Sequence, residues 1–292
     1  NLLYNQFIQR HTHAGPIGEM RMSTPSDRRT HTVVCLGDSI TLGQISVSYI
    51  WPLRDRFAGY PVRFINAGVN NDLAYNLLTR LNPVIRERPD TILVLAGTND
   101  VLSSLSVLKT LANFAVKGIP RWPNLPWYIR NMRLILSRLK ASTRAALAVA
   151  TLPVLGEDLD SLPNQRVRQY NQALAELTEE MNIPLLPVYE RMAAVLLADP
   201  RPKRAYTHSI RLTAEVILRC NILGEPFDRL AEQNGFALLT DSVHLNSRGA
   251  AIVADEMETF LRRTLPPEPP RSGLPEVILP VKIPFLPPRP PD

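Results

Sequence analysis

A serine near the start of the chain and an aspartate–histidine pair near its end are the residue types that cleave esters. A serine hydroxyl is a weak nucleophile until a neighbouring base takes its proton, and an imidazole, with an ordinary pKa of about 6.5, suits that task. Asp241 precedes His244 by three residues, so its carboxylate can reach the imidazole and hold the useful tautomer. The pattern predicts Ser39 as nucleophile, His244 as base and Asp241 as the residue that orients the base.

These residues need a fold that brings them together, and short apolar runs alternate with amphipathic stretches along the chain. The predicted strands are Thr32–Leu36, Val62–Asn66, Thr91–Ala96, Ala145–Thr151 and Pro184–Val188. The predicted helices are Tyr49–Phe57, Asp72–Leu81, Tyr128–Lys140, Asn164–Met181 and Ser247–Arg263. The third and fourth strands are almost continuously apolar, which indicates burial on both faces. The alternation predicts an α/β fold, an open parallel sheet with helices on both faces.

Glycine with serine, asparagine or aspartate stands at three predicted strand exits. Gly37–Thr41 follows the first strand, Asn66–Asp72 the second and Gly97–Asp100 the third, while Asp241–Asn246 precedes the last helix. Each segment alone is compatible with turn chemistry, because these residue types dominate turns. Together they place a nucleophile, a base and polar donors where a parallel sheet gathers its chemistry, at the carboxyl ends of the strands.

In this order, the four segments resemble the four conserved blocks of the GDSL or SGNH hydrolases, a family of esterases and acylhydrolases. The similarity spans Val33 to about Arg263. It implies a three-layer α/β/α sandwich with a five-stranded parallel sheet, flavodoxin-like in type. The Gly-x-Ser-x-Gly elbow of α/β-hydrolases is absent because position 41 is threonine, and the close Asp-x-x-His pair favours the SGNH arrangement.

The same resemblance implies three donors for an oxyanion: the backbone N–H of Ser39, a backbone N–H of the second block and the side-chain amide of Asn99. The family's second-block glycine aligns with Asn71, and Gly68 lies three positions earlier. Asparagine keeps the backbone N–H and tolerates a left-handed φ better than other non-glycine residues. Asn71 is therefore the expected donor, with Gly68 in reserve.

Three residues close to these blocks have simpler interpretations. Asp38, beside the nucleophile, is expected to accept hydrogen bonds from backbone amides of its loop rather than to act as an acid. Asp100 is expected to serve as a loop or helix-cap residue. Cys35, inside the first strand, is expected to be a buried small hydrophobe.

Composition excludes several classes of protein. Of 292 residues, 45% are hydrophobic and 21% charged, with a net charge of +6, which is ordinary for a soluble globular protein. The chain has two cysteines, too few for a disulfide framework, and has no apolar run of membrane-spanning length. Motifs for metal or nucleic acid are missing, so no metal, cofactor or nucleic-acid partner is expected. We expect a cytoplasmic location; the sequence does not specify an oligomeric state.

Three regions are predicted along the chain. Residues 1–30 form a loose leader without a signal-peptide pattern. Residues 31–265 form the hydrolase domain, with insertions near 101–127 and 193–236. Residues 266–292 form a proline-rich tail, a composition that favours extended polyproline II structure.

The first insertion combines basic and apolar residues. No acidic residue occurs between Asp100 and Glu157, and spacings of three from Leu102 to Phe114 predict an amphipathic helical face. One interpretation is a lid or wall that binds an acyl chain, with weak contact to an anionic membrane surface. The other is a packed helical insertion with a solvated basic face.

The predicted function is serine-dependent hydrolysis of carboxylic esters through an acyl-enzyme, with a small-molecule or lipid-like ester as substrate. A carbohydrate O-acetylesterase would use the same machinery. A non-catalytic binding module is a third hypothesis, motivated by Asn71 in place of the family's glycine.

Overall fold

The five strands form one parallel sheet. The computed structural model describes residues 29–207 and 210–265. The strands are His31–Gly37 (β1), Val62–Gly68 (β2), Thr91–Leu95 (β3), Ala146–Ala150 (β4) and Leu185–Leu186 (β5). Their order is β2-β1-β3-β4-β5, and every pair is parallel. The predicted tail, 266–292, and residues 1–28 of the predicted leader lie outside the described residues.

Twelve α-helices and one π-helix occur in the described residues. The helices before β4 are Ser39–Leu42 (α1), Ile50–Arg56 (α2), Ala74–Thr79 (α3), Leu81–Arg86 (α4), Thr98–Leu105 (α5), Val107–Lys117 (α6) and Leu125–Ser142 (α7). Those after β4 are Leu162–Glu180 (α8), Val188–Ala198 (α9), Ile210–Val216 (α10), the π-helix Ile217–Ile222, Phe227–Gln233 (α11) and Ser247–Thr264 (α12).

The helices form two layers with the sheet between them. Helix α12 contacts α2 and α9, while α7 contacts α3, α4, α5 and α8. Every residue of β3 is buried, which a strand covered on both faces requires. The predicted α/β architecture, a three-layer sandwich with a five-stranded parallel sheet, is confirmed.

Two predicted helical segments differ from the observed elements. The helix predicted over Asp72–Leu81 is shorter, Ala74–Thr79 (α3), and a separate helix, α4, begins at Leu81. Pro83 has no N–H, and its ring excludes the carbonyl of Thr79, where α3 ends. The helical face predicted from Leu102 to Phe114 is also divided: α5 ends at Leu105, and the hydroxyl of Ser106 caps α6 by accepting the N–H of Lys109 at 3.2 Å.

The sheet topology gathers the predicted blocks at one edge. β1 lies between β2 and β3, so the loops after these three strands leave the same edge side by side. Along the sheet, the chain moves from β1 to β2 in one direction and from β2 past β1 to β3, β4 and β5 in the other. Open α/β sheets form a crevice for ligands where this direction reverses, here beside β1. The loop before α12 completes this edge, because Leu245 bonds to the loop that follows α1: the N–H of Val47 donates to its carbonyl at 2.9 Å.

Candidate active site

Ser39, His244 and Asp241 form a chain of hydrogen bonds at the carboxyl end of the sheet. Ser39 is the first residue of α1, and its Oγ lies 3.1 Å from Nε2 of His244. Nδ1 of the same imidazole lies 2.9 Å from Oδ2 of Asp241. All three residues are buried. The structure thus brings together the three residues that the sequence pattern singled out, in the geometry that nucleophile, base and orienting carboxylate require.

The carboxylate of Asp241 is fixed by further donors. Its Oδ1 accepts the backbone N–H groups of Val243 and His244, each at 2.7 Å. Burial alone would raise the pKa of Asp241, but the imidazole and these donors together lower it below the ordinary value. An ionised Asp241 accepts a hydrogen bond from the Nδ1–H of His244, which leaves Nε2 free to accept a proton from Ser39.

Two residues outside the predicted blocks hold this loop. Glu157 is buried, and its carboxylate accepts the backbone N–H groups of residues 237–239 at 2.6 to 3.1 Å. The hydroxyl of Ser46 accepts the N–H of Leu245 at 3.0 Å. These hydrogen bonds join residues far apart in the sequence and have backbone amides as donors, so no sequence motif predicts them.

Asn71 and Gly68 occupy different places in the second block. Asn71 has a φ of 61°, the left-handed conformation expected at a position that aligns with glycine, and it lines the cavity beside Ser39. The N–H of Gly68 donates to Oδ1 of Asn66 at 3.0 Å. A Cβ at Gly68 would lie 2.3 Å from the backbone nitrogen of Leu42, so this glycine permits close packing of β2 against α1. The N–H of Asn71 has no acceptor among the described residues, whereas that of Gly68 is engaged by Asn66.

The side-chain amide of Asn99 is engaged on both of its hydrogens. Nδ2 donates to the carbonyl oxygen of Asp72 at 3.1 Å and to Oδ2 of Asp38 at 3.3 Å. Asn99 also lines the cavity with Ser39. The longer bond, to Asp38, is the one that an oxyanion in the cavity would displace most easily.

Two buried aspartates support the loops. Oδ1 of Asp38 accepts the N–H of Ile40 at 3.0 Å, as predicted, and burial raises the pKa of Asp38 to about 6. Oδ2 of Asp100 accepts the N–H of Ala74 at 3.0 Å, so it caps α3, while its Oδ1 is buried without a partner among the described residues. Burial, with the charge of Asp38 adding to it, raises the pKa of Asp100 to about 8. This shift favours the protonated form of Asp100 at neutral pH.

The first strand also confirms the interpretation of Cys35. This thiol is completely buried within β1. Burial raises its pKa to about 12, so no thiolate forms at neutral pH and the side chain packs as a small apolar group.

Helix α6 is tied to the second block at both of its ends. Nζ of Lys109 donates to Oδ1 of Asn71 at 2.7 Å. Nζ of Lys117 lies 2.8 Å from Oδ1 of Asp72, whose Oδ2 also accepts from Nε of Arg80 at 2.6 Å. Helix α6 of the first insertion is therefore attached to two neighbouring residues of the second block, Asn71 and Asp72.

A cavity of about 480 Å³ opens onto Ser39 and His244. Its apolar lining comes from both predicted insertions and the loops after α1 and before α12: Ile45, Leu102, Leu108, Ala112, Leu212, Ala214, Ile217 and Val243. Lys109, Asn71 and Asn99 supply polar groups near the serine. Such a cavity, apolar with a few convergent polar groups, is typical of small-molecule sites.

The described residues contain no cluster of three or more histidine, cysteine, aspartate or glutamate side chains placed to hold a metal ion. None of their helices combines the length and the apolar character needed to cross a membrane.

The family model that matches this chain is that of the GDSL-like lipase/acylhydrolase family, and the match covers residues 35–252. No curated protein sequence matches the chain.

Several solved structures share the fold. An acetyl xylan esterase, AlAXEase, aligns with a TM-score of 0.57 and 19% identity over 79% of this chain and 99% of its own. An acetylxylan esterase from Geobacillus stearothermophilus gives 0.57 and 19% over 80% of this chain and 94% of its own. The lipase/acylhydrolase from Enterococcus faecalis gives 0.56 and 18% over 82% and 100%. At these identities the likeness extends to the fold alone.

Proposed function

Because this chain belongs to the GDSL-like lipase/acylhydrolase family and is a carboxylic ester hydrolase, we propose that it acts through a Ser39–His244–Asp241 triad and an acyl-enzyme. The observation that carries the proposal is the continuous hydrogen-bond chain from the Ser39 hydroxyl through the imidazole to the carboxylate. Nucleophile and base lie within the reach that proton transfer requires, and the base is oriented by a third group.

In the first half-reaction, Oγ of Ser39 attacks the ester carbonyl carbon while its proton passes to Nε2 of His244. The tetrahedral oxyanion accepts hydrogen bonds from the N–H groups of Ser39 and Asn71 and from the amide of Asn99, which exchanges its bond to Asp38 for this one. The C–O bond to the alcohol then breaks, and the imidazolium returns its proton to the departing oxygen.

In the second half-reaction, water attacks the acyl carbonyl of the Ser39 ester, and His244 takes the proton of that water. The tetrahedral intermediate collapses, the Oγ–acyl bond breaks, and the proton returns to Oγ as the carboxylic acid leaves. Asp241 stays ionised throughout and stabilises the imidazolium in both halves.

The cavity lining supports an ester with an aliphatic acyl group. Both insertions contribute apolar side chains to it, among them Leu108 of α6 and Ile217 of the π-helix. Removal of acyl methylene groups from water favours binding by about 0.8 kcal/mol each. Acetylated carbohydrates are the second substrate class to compare, because two proteins that share the fold are acetylxylan esterases.

A panel of substrates tests the proposal on the wild type and on Ser39→Ala. It contains p-nitrophenyl esters of increasing acyl length and acetylated xylo-oligosaccharides. We expect Ser39→Ala to abolish hydrolysis of all of them with an unchanged circular dichroism spectrum and melting temperature. We also expect the wild type to prefer acyl chains longer than acetyl.

Ser142→Ala is the matched control, because Ser142 is an exposed serine at the end of α7. It should behave as the wild type. Hydrolysis retained by Ser39→Ala would refute the triad. A wild type active only on acetylated sugars would refute the aliphatic acyl class, and a folded wild type that neither hydrolyses the panel nor reacts with a fluorophosphonate would indicate a binding module.

A further inference from the structure

Helix α6 is amphipathic with its apolar face turned outward. Its inward side chains are polar: Thr110 donates to the carbonyl oxygen of Ser103 at 2.7 Å, and Asn113 to the hydroxyl of the same serine at 2.8 Å. Both are buried. The exposed side chains are Val107, Leu108, Leu111, Phe114 and Val116. An ordinary surface helix turns its apolar stripe to the core, so this arrangement is the reverse of the usual one.

A second exposed apolar segment reaches the same cavity. It lies in and directly after the π-helix and comprises Ile217, Leu218, Ile222 and Leu223. Leu108 is 63% exposed and Ile217 is 42% exposed, yet both line the cavity that contains Ser39. Trp122 extends the α6 side, with its ring centroid 6.3 Å from that of Phe114. We call these exposed side chains of α6, Trp122 and the 217–223 segment the apolar collar.

The α6 side of the collar also has a positive charge. The sequence has lysines and arginines but no acidic residue between Asp100 and Glu157. Arg121 and Arg130 are exposed shortly after α6. Cations beside an exposed apolar surface are attracted to anionic lipid headgroups, and this combination is typical of segments that lie in a membrane interface.

We propose that the apolar collar binds the surface of a bilayer that contains anionic lipids, and that the enzyme takes its ester from this surface. The inference rests on the proposed function and names where the substrate is found. An acyl chain would pass from the bilayer between Leu108 and Ile217 into the cavity without crossing water. A second copy of the chain bound to the collar would close the entrance to the cavity. The positive charge beside the collar attracts anionic lipid headgroups, so lipid is the ligand that fits both its position and its charge.

The test compares Leu111→Gln/Phe114→Gln with the wild type in the full chain. Neither residue lines the cavity, so the variant leaves the site intact. The matched control is Leu162→Gln/Leu197→Gln, which replaces two other exposed leucines on α8 and α9. Binding is measured by co-sedimentation with phosphatidylcholine vesicles, with and without phosphatidylglycerol. Activity is measured on a soluble short-chain ester and on a long-chain ester embedded in the vesicles.

We expect the wild type and the control to bind the anionic vesicles and the collar variant to bind them at least about tenfold more weakly. The collar variant should hydrolyse the soluble ester normally and the embedded ester more slowly. Equal vesicle binding by variant and wild type, or no binding by a wild type that hydrolyses the soluble ester, overturns the inference. A dimer in sedimentation velocity that the collar variant abolishes also overturns it. Ser39→Ala should bind vesicles normally, which separates failure of the collar from failure of the chemistry.

Lys109 contacts the proposed oxyanion donor, Asn71, through its side chain. Asn71 is held in a left-handed conformation, and its side-chain oxygen accepts from Nζ of Lys109 at 2.7 Å. The cap at Ser106 sets where α6 begins, and Lys117 bonds to Asp72, so the helix holds the loop at two neighbouring residues. A glycine at position 71 would offer no side chain to Lys109.

We infer that Lys109 is a positioning residue, which holds Asn71 so that its backbone N–H points toward the oxyanion. A donor that acts only in the transition state changes kcat and leaves KM almost unchanged. Lys109→Met should therefore lower kcat by about tenfold or more on a short soluble ester, with a similar KM. Lys109→Arg retains a donor for Oδ1 of Asn71 and should restore most of the rate.

A double-mutant cycle with Asn71→Gly distinguishes positioning from a general structural role. In the Asn71→Gly background the side-chain partner is gone, so Lys109→Met should change kcat by less than about threefold. An equal loss in both backgrounds would refute the inference, as would a loss confined to KM. Melting temperatures of all four proteins confirm that each is folded, and Ser39→Ala gives the baseline rate.

Discussion

Glu157 offers a test of how the fold holds the catalytic loop. Its carboxylate is buried and accepts three successive backbone N–H groups, those of Ala237, Leu238 and Leu239, at 2.6 to 3.1 Å. The same stretch continues into the loop that carries Asp241 and His244. Replacement of Glu157 therefore alters both the stability of the protein and the position of the base.

The magnitude follows from the contacts. A hydrogen bond to a charged group contributes about 1.5–3 kcal/mol, and a buried donor left without a partner costs about 1–3 kcal/mol. Glu157→Gln keeps one acceptor oxygen, loses the charge and turns an NH₂ toward the N–H of Ala237. We expect it to lower the free energy of unfolding by about 2–4 kcal/mol. Glu157→Leu leaves three donors unsatisfied and should cost about 4–6 kcal/mol.

Urea unfolding followed by circular dichroism measures these differences, and a thermal melt should show a fall of roughly 5–10 °C for Glu157→Gln. kcat on a short ester should fall with them, because the imidazole loses its fixed support. Glu179→Gln, an exposed glutamate on α8, is the control and should change neither quantity. A loss below about 1 kcal/mol with an unchanged kcat would show that the reasoning about the loop is wrong.

Three further changes test individual residues. Asp241→Asn should lower kcat by about 10⁴-fold in a folded protein. The amide keeps its oxygen on the backbone N–H groups and turns its NH₂ to His244, so the imidazole takes the other tautomer. A loss below about tenfold would contradict the orienting role of Asp241. Asn99→Ala should lower kcat by about 10²–10³-fold with little change in KM, and an effect confined to KM would exclude an oxyanion donor. Burial raises the pKa of Asp100 to about 8, so the folded protein keeps a proton that the unfolded chain loses above about pH 4. The free energy of unfolding of the wild type should therefore fall relative to that of Asp100→Asn as pH rises from about 4 to 8. Parallel stability curves for these two proteins over that range would show that the carboxyl is ionised.

The types and order of the residues predicted the parallel sheet and the proximity of the four sequence blocks at one of its edges. The strands were recognisable because buried parallel strands are continuously apolar, and strand exits in such a sheet share one edge. β5 is shorter than predicted, since Pro184 and Pro187 flank it and proline cannot donate to the ladder. Asn71 aligns with the family's glycine, and its φ of 61° is a left-handed conformation that asparagine tolerates.

The features that were missed depend on contacts that no local pattern encodes. The spacing in α6 identified an amphipathic helix but not which face turns inward, because that depends on whether Thr110 and Asn113 find partners beneath it. They do, on Ser103, so the apolar face is the exposed one. Of the basic residues of this insertion, Lys109 and Lys117 bond to the second block, whereas Arg121 is exposed.

In the proposed mechanism, the hydroxyl of Ser39 is activated by His244 and becomes acylated. The most direct measurement mixes the enzyme with p-nitrophenyl acetate, quenches it with acid within milliseconds and locates the acetyl group by peptide mass spectrometry. We expect an acetyl group on Ser39 in the wild type, none at that position in Ser39→Ala and far less in His244→Ala. Rapid turnover without an adduct on Ser39, or an adduct on another residue that forms at the same rate in Ser39→Ala, would contradict it.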